Sequence, residues 1–181
     1  GLNKRLILLF GIPSVVLTAV GALLVNYTPQ NVLKLIVGIF LLTYSMTLLF
    51  KPNITFKSKA RNAIIGGSVS GFFAGLIGIA GALRGIFLAS FSLKKNVYIA
   101  TAAAISLIVD ITRIPIYLSN GFLSSELHYY IPLLCITAFI GSYIGRKIVY
   151  KIPQKSFRKC VLIAIFLASL KFIYDGIIFL I

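Results

Sequence analysis

Polar positions in this chain fall in clusters about one bilayer crossing apart, and the stretches between them are predominantly apolar. Apolar runs occupy 6–25, 32–50, 66–93, 97–118, 127–149 and 161–181. Runs of roughly twenty such residues match the hydrocarbon thickness of a bilayer and exceed what a water-soluble core helix needs. The pattern predicts an all-α polytopic membrane protein. Lys4 and Arg5 precede the first run, which contains Pro13. The segment 26–30 (NYTPQ) predicts a tight turn in which Thr28 caps and Pro29 starts the second span. Lys34, in the first turns of that span, can snorkel to the interface. Tyr129, Tyr130 and the sole histidine, His128, open the run 127–149 as interface residues.

The run 66–93 (GGSVSGFFAGLIGIAGALRGIFLASFSL) is different. Its glycines at 67, 71, 75, 78, 81 and 85 are spaced 4, 4, 3, 3 and 4. At about 100° per residue that spacing keeps them on one helical face, where another backbone can come close. Arg84 lies near the far end of the run. A charge at membrane depth costs about 2.5–3.5 kcal/mol on insertion scales, so it needs a counter-charge, water or an anion. The segment reads as a broken or re-entrant element that presents Arg84, and the backbone N–H groups of a half-helix start around 78–83, to an anionic substrate. Two plainer readings stand beside it: the stripe is a helix-packing seam, and Arg84 snorkels to the interface near Lys94.

Charge bears on topology. Eighteen basic and three acidic residues give a net charge of +15 in a chain that is 59% hydrophobic. In a soluble domain that balance would suggest nucleic acid. Here the bases cluster between apolar runs, as the positive-inside rule produces, so no nucleic-acid partner is expected. If 66–93 crossed the membrane once, the basic loops 51–61 and 146–159 would lie on opposite faces. If it dips in and returns, or crosses twice as short half-helices, Lys4, Arg5, both basic loops, Lys94 and Lys95 all face the cytoplasm. The turns 26–31 and 119–125 then face outward, which favours a multi-pass protein with a broken segment.

An internal likeness appears at an offset of 124 residues: Gly21 falls on Gly145, Val25 on Val149, Pro29 on Pro153, Gln30 on Gln154, Lys34 on Arg158 and Val37 on Val161. A span–Pro-Gln–span unit thus occurs twice, and the topology turns the two units upside down relative to each other, an inverted-repeat plan. On this reading 1–61 is the end of a first repeat, two transmembrane helices plus a basic cytoplasmic loop. Residues 62–181 form the second: the broken segment 62–95 and helices 97–118, 127–149 and 161–181. The partner of the glycine-rich segment would then lie upstream of Gly1.

Five charges sit inside apolar runs: Arg84, Asp110, Arg113, Lys171 and Asp175. Lys171 and Asp175, four apart, can pair along one helix face. Asp110 and Arg113, three apart, can pair too, and Pro115 weakens the helix just beyond them. That pair is read either as structural or as a coupling or gating element. Arg84 has no acidic neighbour within a turn, and its planar fork of donors suits sulfite, sulfonate or carboxylate oxygens. Thr101, Ser106 and Thr112 offer hydroxyls to a substrate or to their own helix. Cys135 and Cys160 match no metal-ligand spacing and read as packed thiols. No paired carboxylates, Cys/His cluster, nucleophile elbow or phosphate loop is present, so the chain is read as no enzyme, with no cofactor and no metal.

Gly75-Leu76-Ile77-Gly78-Ile79-Ala80-Gly81-Ala82-Leu83-Arg84-Gly85, followed by Tyr98-Ile99-Ala100-Thr101, resembles the second signature of the TauE/SafE sulfite exporter family, also called the toluene-sulfonate uptake permease group. The unit at 6–50 resembles that family's hairpin closing its first half, so the chain looks like a member lacking its N-terminal hairpin. Ala80 and Ala82 stand where the family has two glycines of a triplet, and Phe87 where it has proline. The Ala-Leu-Arg-Gly variant resembles a subgroup with arginine here. The resemblance implies a secondary transporter exporting sulfite, sulfonates or related organosulfur oxyanions. Its substrate contacts would be Arg84, Gly78, Gly81, Ala82 and Thr101, its coupling or gating residues Asp110, Arg113 and Pro115. Its partners would be a small anion, the lipid bilayer and a coupling proton or ion. The alternative is a non-transporting membrane scaffold that uses the glycine stripe as a packing seam.

Overall fold

Seven α-helices carry the described residues of the computed structural model, which are 3–51, 60–78, 80–91, 93–121 and 130–178. They are α1 (Lys4–Leu24), α2 (Gln30–Phe50), α3 (Ala60–Ile77), α4 (Ala80–Ser90), α5 (Lys95–Ser119), α6 (Tyr130–Lys151) and α7 (Gln154–Ile178). Among these residues there is no strand. Five segments are long and apolar enough to cross a membrane: α1 with its following turn, α2, α5, α6 and most of α7. The chain is therefore an all-α polytopic membrane protein.

Local chemistry sets the helix ends. The Asn3 side chain accepts from the Leu6 amide at 3.1 Å and caps α1. Thr28 does not cap α2 as expected from sequence. Its hydroxyl donates to the Leu24 carbonyl at 2.8 Å and closes α1, across a single 3-10 turn at Val25–Tyr27. Pro29, with its fixed φ, is the residue from which α2 starts, its carbonyl accepting from Leu33 N at 3.3 Å. Pro153 does the same for α7 and accepts from Phe157 N at 3.0 Å. As a result α7 begins at Gln154 and not at 161. The basic stretch 150–159 is mostly helix, interrupted only at Ile152 and Pro153, with Phe157 buried among its polar neighbours.

The glycine-rich run does break. Gly78 adopts φ +79°, a left-handed conformation that glycine takes without a Cβ penalty, between the end of α3 and the start of α4. The break corrects the expectation that six glycines share one face. A Cβ at Gly67, Gly71 or Gly75 would collide with the carbonyl oxygens of Phe10, Ser14 and Thr18 of α1, whereas Gly81 has nothing within 4 Å and Gly85 faces Tyr98 and Ile165. The pairing of 10 with 67, 14 with 71 and 18 with 75 makes α1 and α3 parallel. Two hydroxyls tie that seam: Ser14 Oγ donates to Gly67 O at 2.8 Å and Thr18 Oγ1 to Gly71 O at 2.9 Å. Gly67, Gly71 and Gly75 thus form a helix-packing seam filled by α1, as the plainer reading of the stripe expected.

Beyond Gly78 the chain folds back, so that the Phe87 ring of α4 lies over Gly66 of α3. α2 and α7 pack antiparallel, with Gly38 against Ile173 and Gly176 against Leu35. Asn120, capping α5, reaches the Ala22 carbonyl at 3.5 Å. These contacts gather the starts of α1, α3, α5 and α7 with the ends of α2, α4 and α6. Lys4, Arg5, Lys51, Arg61, Lys94, Lys95, Lys147 and Lys151 therefore share one end of the bundle.

α6 contains no buried residue, and neither Gly141 nor Gly145 has a neighbour within 4 Å. It is held at its end by Lys95, whose ammonium donates to the carbonyls of Val149 (3.1 Å) and Ile152 (2.8 Å). Cys135 and Cys160 are exposed, not packed, because they lie on outward faces of α6 and α7. His128, Tyr129 and most of the 51–61 loop lie outside the described residues.

Candidate functional site

A helix leaves the carbonyls of its last turn without intrahelical partners. At the end of α3 the carbonyls of Ala74, Gly75 and Leu76 accept from side chains of other helices. Ala74 O accepts from Gly78 N at 3.0 Å and from Arg113 Nη1 at 3.3 Å. Gly75 O accepts from the Tyr117 hydroxyl, and Leu76 O accepts from Gln30 Nε2 at 2.9 Å. Arg113 also donates through Nη2 to Asp110 Oδ1 at 3.0 Å and stacks 5.4 Å from the Tyr117 ring centroid. A cation at the carbonyl end of a helix is favoured by the helix dipole. Arg113 is therefore both the partner of Asp110 and a cap of α3. Pro115 stands inside α5, which continues from Lys95 to Ser119.

Arg84 projects from the second turn of α4 and is 9% exposed. At that burial its side chain is packed inside the bundle. No hydrogen bond or ion pair joins it to another described residue, although it feels Asp110, Tyr98 and Arg113 electrostatically. Directly beside it Tyr98 donates to Gly85 O at 3.1 Å and holds α5 against α4. One turn further along the same face of α5 is Thr101, fully buried, whose Oγ1 has no partner among the described residues. Thr112, by contrast, donates to Ile108 O of its own helix at 3.0 Å.

The structure thus brings Gly78, Arg84, Asp110 and Arg113 into one neighbourhood: a Cβ at Gly78 would lie 3.4 Å from Arg113 Nη1. Gly78 N is tied to Ala74, so among the described residues the α4 amides free of intrahelical bonds begin at Ala80 and do not include Gly78. Ala82 is half-buried against α2 and α7 residues, and Gly81 is exposed. Lys171 and Asp175 pair at 3.3 Å on α7 and neutralise each other as expected. Sequence reasoning missed Tyr98 and Tyr117, since nothing distinguishes a bonded tyrosine from any other aromatic in an apolar span. For Gln30 the signal was the Pro-Gln pair. A cleft of about 430 Å³ between α5 and α6, lined by Asn96, Ile99, Ser142, Gly145 and Arg146, does not include Arg84.

Residues 1–172 match the family model described as Sulfite exporter TauE/SafE. The curated relatives include the "Probable membrane transporter protein YfcA" of Escherichia coli K12, 26% identical over 166 residues, covering 86% of this chain and 60% of the relative. The protein of that name in Escherichia coli O157:H7 aligns with the same identity and coverage, 26%, 86% and 60%. The chain thus spans less than two thirds of the length of these relatives. No solved structure matches.

Proposed function

Since this chain belongs to the TauE/SafE sulfite exporter family, we propose that it is a secondary transporter that exports small oxyanions such as sulfite or sulfonates across the inner membrane, with Arg84 as the anion's main contact. The observation that carries this reading is an arginine, 9% exposed as a whole residue, with neither an ion pair nor a hydrogen bond among the described residues. A buried cation without a partner is costly, and a bound oxyanion relieves that cost with two parallel charge-assisted bonds. Ala80, Gly81 and Ala82 add the partial positive charge of the α4 start, and Gly81 and Gly78 leave the approach unobstructed. Thr101 supplies a neutral hydroxyl.

Asp110 and Arg113 are the coupling element in this reading. Protonation of Asp110 removes its charge, frees Arg113 from the 3.0 Å contact and loosens the cap on α3 next to Gly78. The basic end of the bundle faces the cytoplasm by the positive-inside rule, so α3 and α4 form a re-entrant hairpin that starts and finishes there. The two Pro-Gln units are the inverted halves about which access alternates.

The test is flux into proteoliposomes holding wild-type protein, Arg84→Ala or Arg84→Lys. Losing one partner of a desolvated charge pair costs about 2–5 kcal/mol, so Arg84→Ala is expected to cut kcat/KM for sulfite by at least about thirtyfold. Arg84→Lys, which keeps the charge without the fork, should retain a small fraction. Unaltered flux in both variants removes Arg84 from the site.

A further inference from the structure

The two Pro-Gln pairs leave one feature unexplained by the anion site: each glutamine is the first residue of its helix, and each reaches the glycine-rich segment. Gln30 donates Nε2 to Leu76 O at 2.9 Å, two residues before the Gly78 break. Gln154 accepts at Oε1 from Lys95 N at 2.8 Å and turns Nε2 toward Leu93 O at 3.5 Å. Leu93 belongs to the connection that leads α4 into α5, and Lys95 is the first residue of α5. The broken segment is therefore held beside its break by α2 and at its far end by α7, at opposite ends of the bundle, and α2 and α7 pack against each other.

We propose that Gln30 and Gln154 are positioning residues that anchor the α3–α4 hairpin, one from each end of the bundle, and that release of either one opens Arg84 toward that end alone. This rests on Arg84 being the anion contact. The chemistry suits a reversible clasp. An amide is neutral, so letting go strands no charge, and one hydrogen bond is weak enough to break and remake during a transport cycle. The preceding proline fixes where each helix begins. The two contacts also differ in polarity: Gln30 acts as a donor to a carbonyl, Gln154 mainly as an acceptor from an amide.

That polarity gives the test. In a chain carrying Cys135→Ser and Cys160→Ser, Ala82→Cys reports access to the break by reaction with a membrane-impermeant maleimide added on one side at a time. Gln30→Glu removes the donor and sets a negative charge against a carbonyl. It is expected to raise labelling from the end bearing residues 26–31 by about threefold to tenfold, the weight of one hydrogen bond, with no rise from the Lys94 end. Gln154→Ala is expected to give the reverse. Gln154→Glu keeps the acceptor and should label like the parent, as should Gln30→Lys, which restores a donor. Both glutamates behaving alike, or every variant labelling as the parent, overturns the proposal. Because labelling needs no substrate, that result leaves the anion reading standing, and loss of flux in Arg84→Ala with normal labelling leaves the clasp standing. Should Gln30→Glu fail to fold, Gln154→Ala against Gln154→Glu decides alone: side-specific labelling in the first only supports the clasp, and equal labelling overturns it.

Discussion

Replacing Gly71 by alanine is expected to prevent α1 and α3 from docking. The added Cβ would collide with Ser14 O and lie 2.5 Å from Ser14 Cα and 2.7 Å from Ser14 C, all backbone atoms that cannot turn aside. The helices must separate, and with them go the hydrogen bonds from Ser14 to Gly67 and from Thr18 to Gly71 at 2.8 and 2.9 Å. Overpacking costs about 1–3 kcal/mol, and hydrogen bonds between membrane helices add about 0.6 kcal/mol each. The offsetting gain in helix propensity is about 1 kcal/mol. Gly11→Ala, on the same packed pair but with nothing within 4 Å, collects only that gain. In detergent, the unfolding midpoint of Gly71→Ala should fall well below wild type, while that of Gly11→Ala should equal or exceed it. Equal midpoints for the two variants would mean that the close approach of α1 is not what the glycine stripe is for.

The second large effect is expected at Arg113. Truncation to alanine leaves Asp110 without its 3.0 Å partner and Ala74 O without its side-chain donor. Breaking a fully buried pair costs about 3–5 kcal/mol. Here the Asp110 side chain is 46% exposed, so the loss lies below that range, at about 2–3 kcal/mol. The double change Asp110→Asn with Arg113→Ala removes the stranded charge and should recover part of the stability, a coupling that a double-mutant cycle reads directly. Strictly additive losses would show that the two residues do not act as a pair.

The spans, the break at Gly78 and both intramembrane ion pairs were legible in the sequence, because each follows from apolar length, glycine placement or i,i+3 and i,i+4 spacing. Which face of the glycine run meets which helix was not. A single left-handed residue at Gly78 rotates everything after it, and spacing alone carries no record of that rotation. The early start of α7 was hidden because polar first turns look like loop when hydropathy is the guide, although Pro153 marked the boundary. The burial of Arg84 could be argued only as a need for a partner. That Asp110 pairs with Arg113, leaving Arg84 unbonded, depends on three helices meeting and is not encoded in any one of them. Tyr98 and Tyr117 were invisible for the same reason, since their acceptors are backbone carbonyls of α4 and α3.

Equilibrium binding of radiolabelled sulfite to the purified protein in detergent bears most directly on Arg84, because it requires neither flux nor a known coupling ion. The wild-type protein should bind saturably, and Arg84→Gln, polar but uncharged, should bind none above background while unfolding at a similar midpoint. Undiminished sulfite binding by Arg84→Gln would contradict the assignment of that arginine as the anion's receptor.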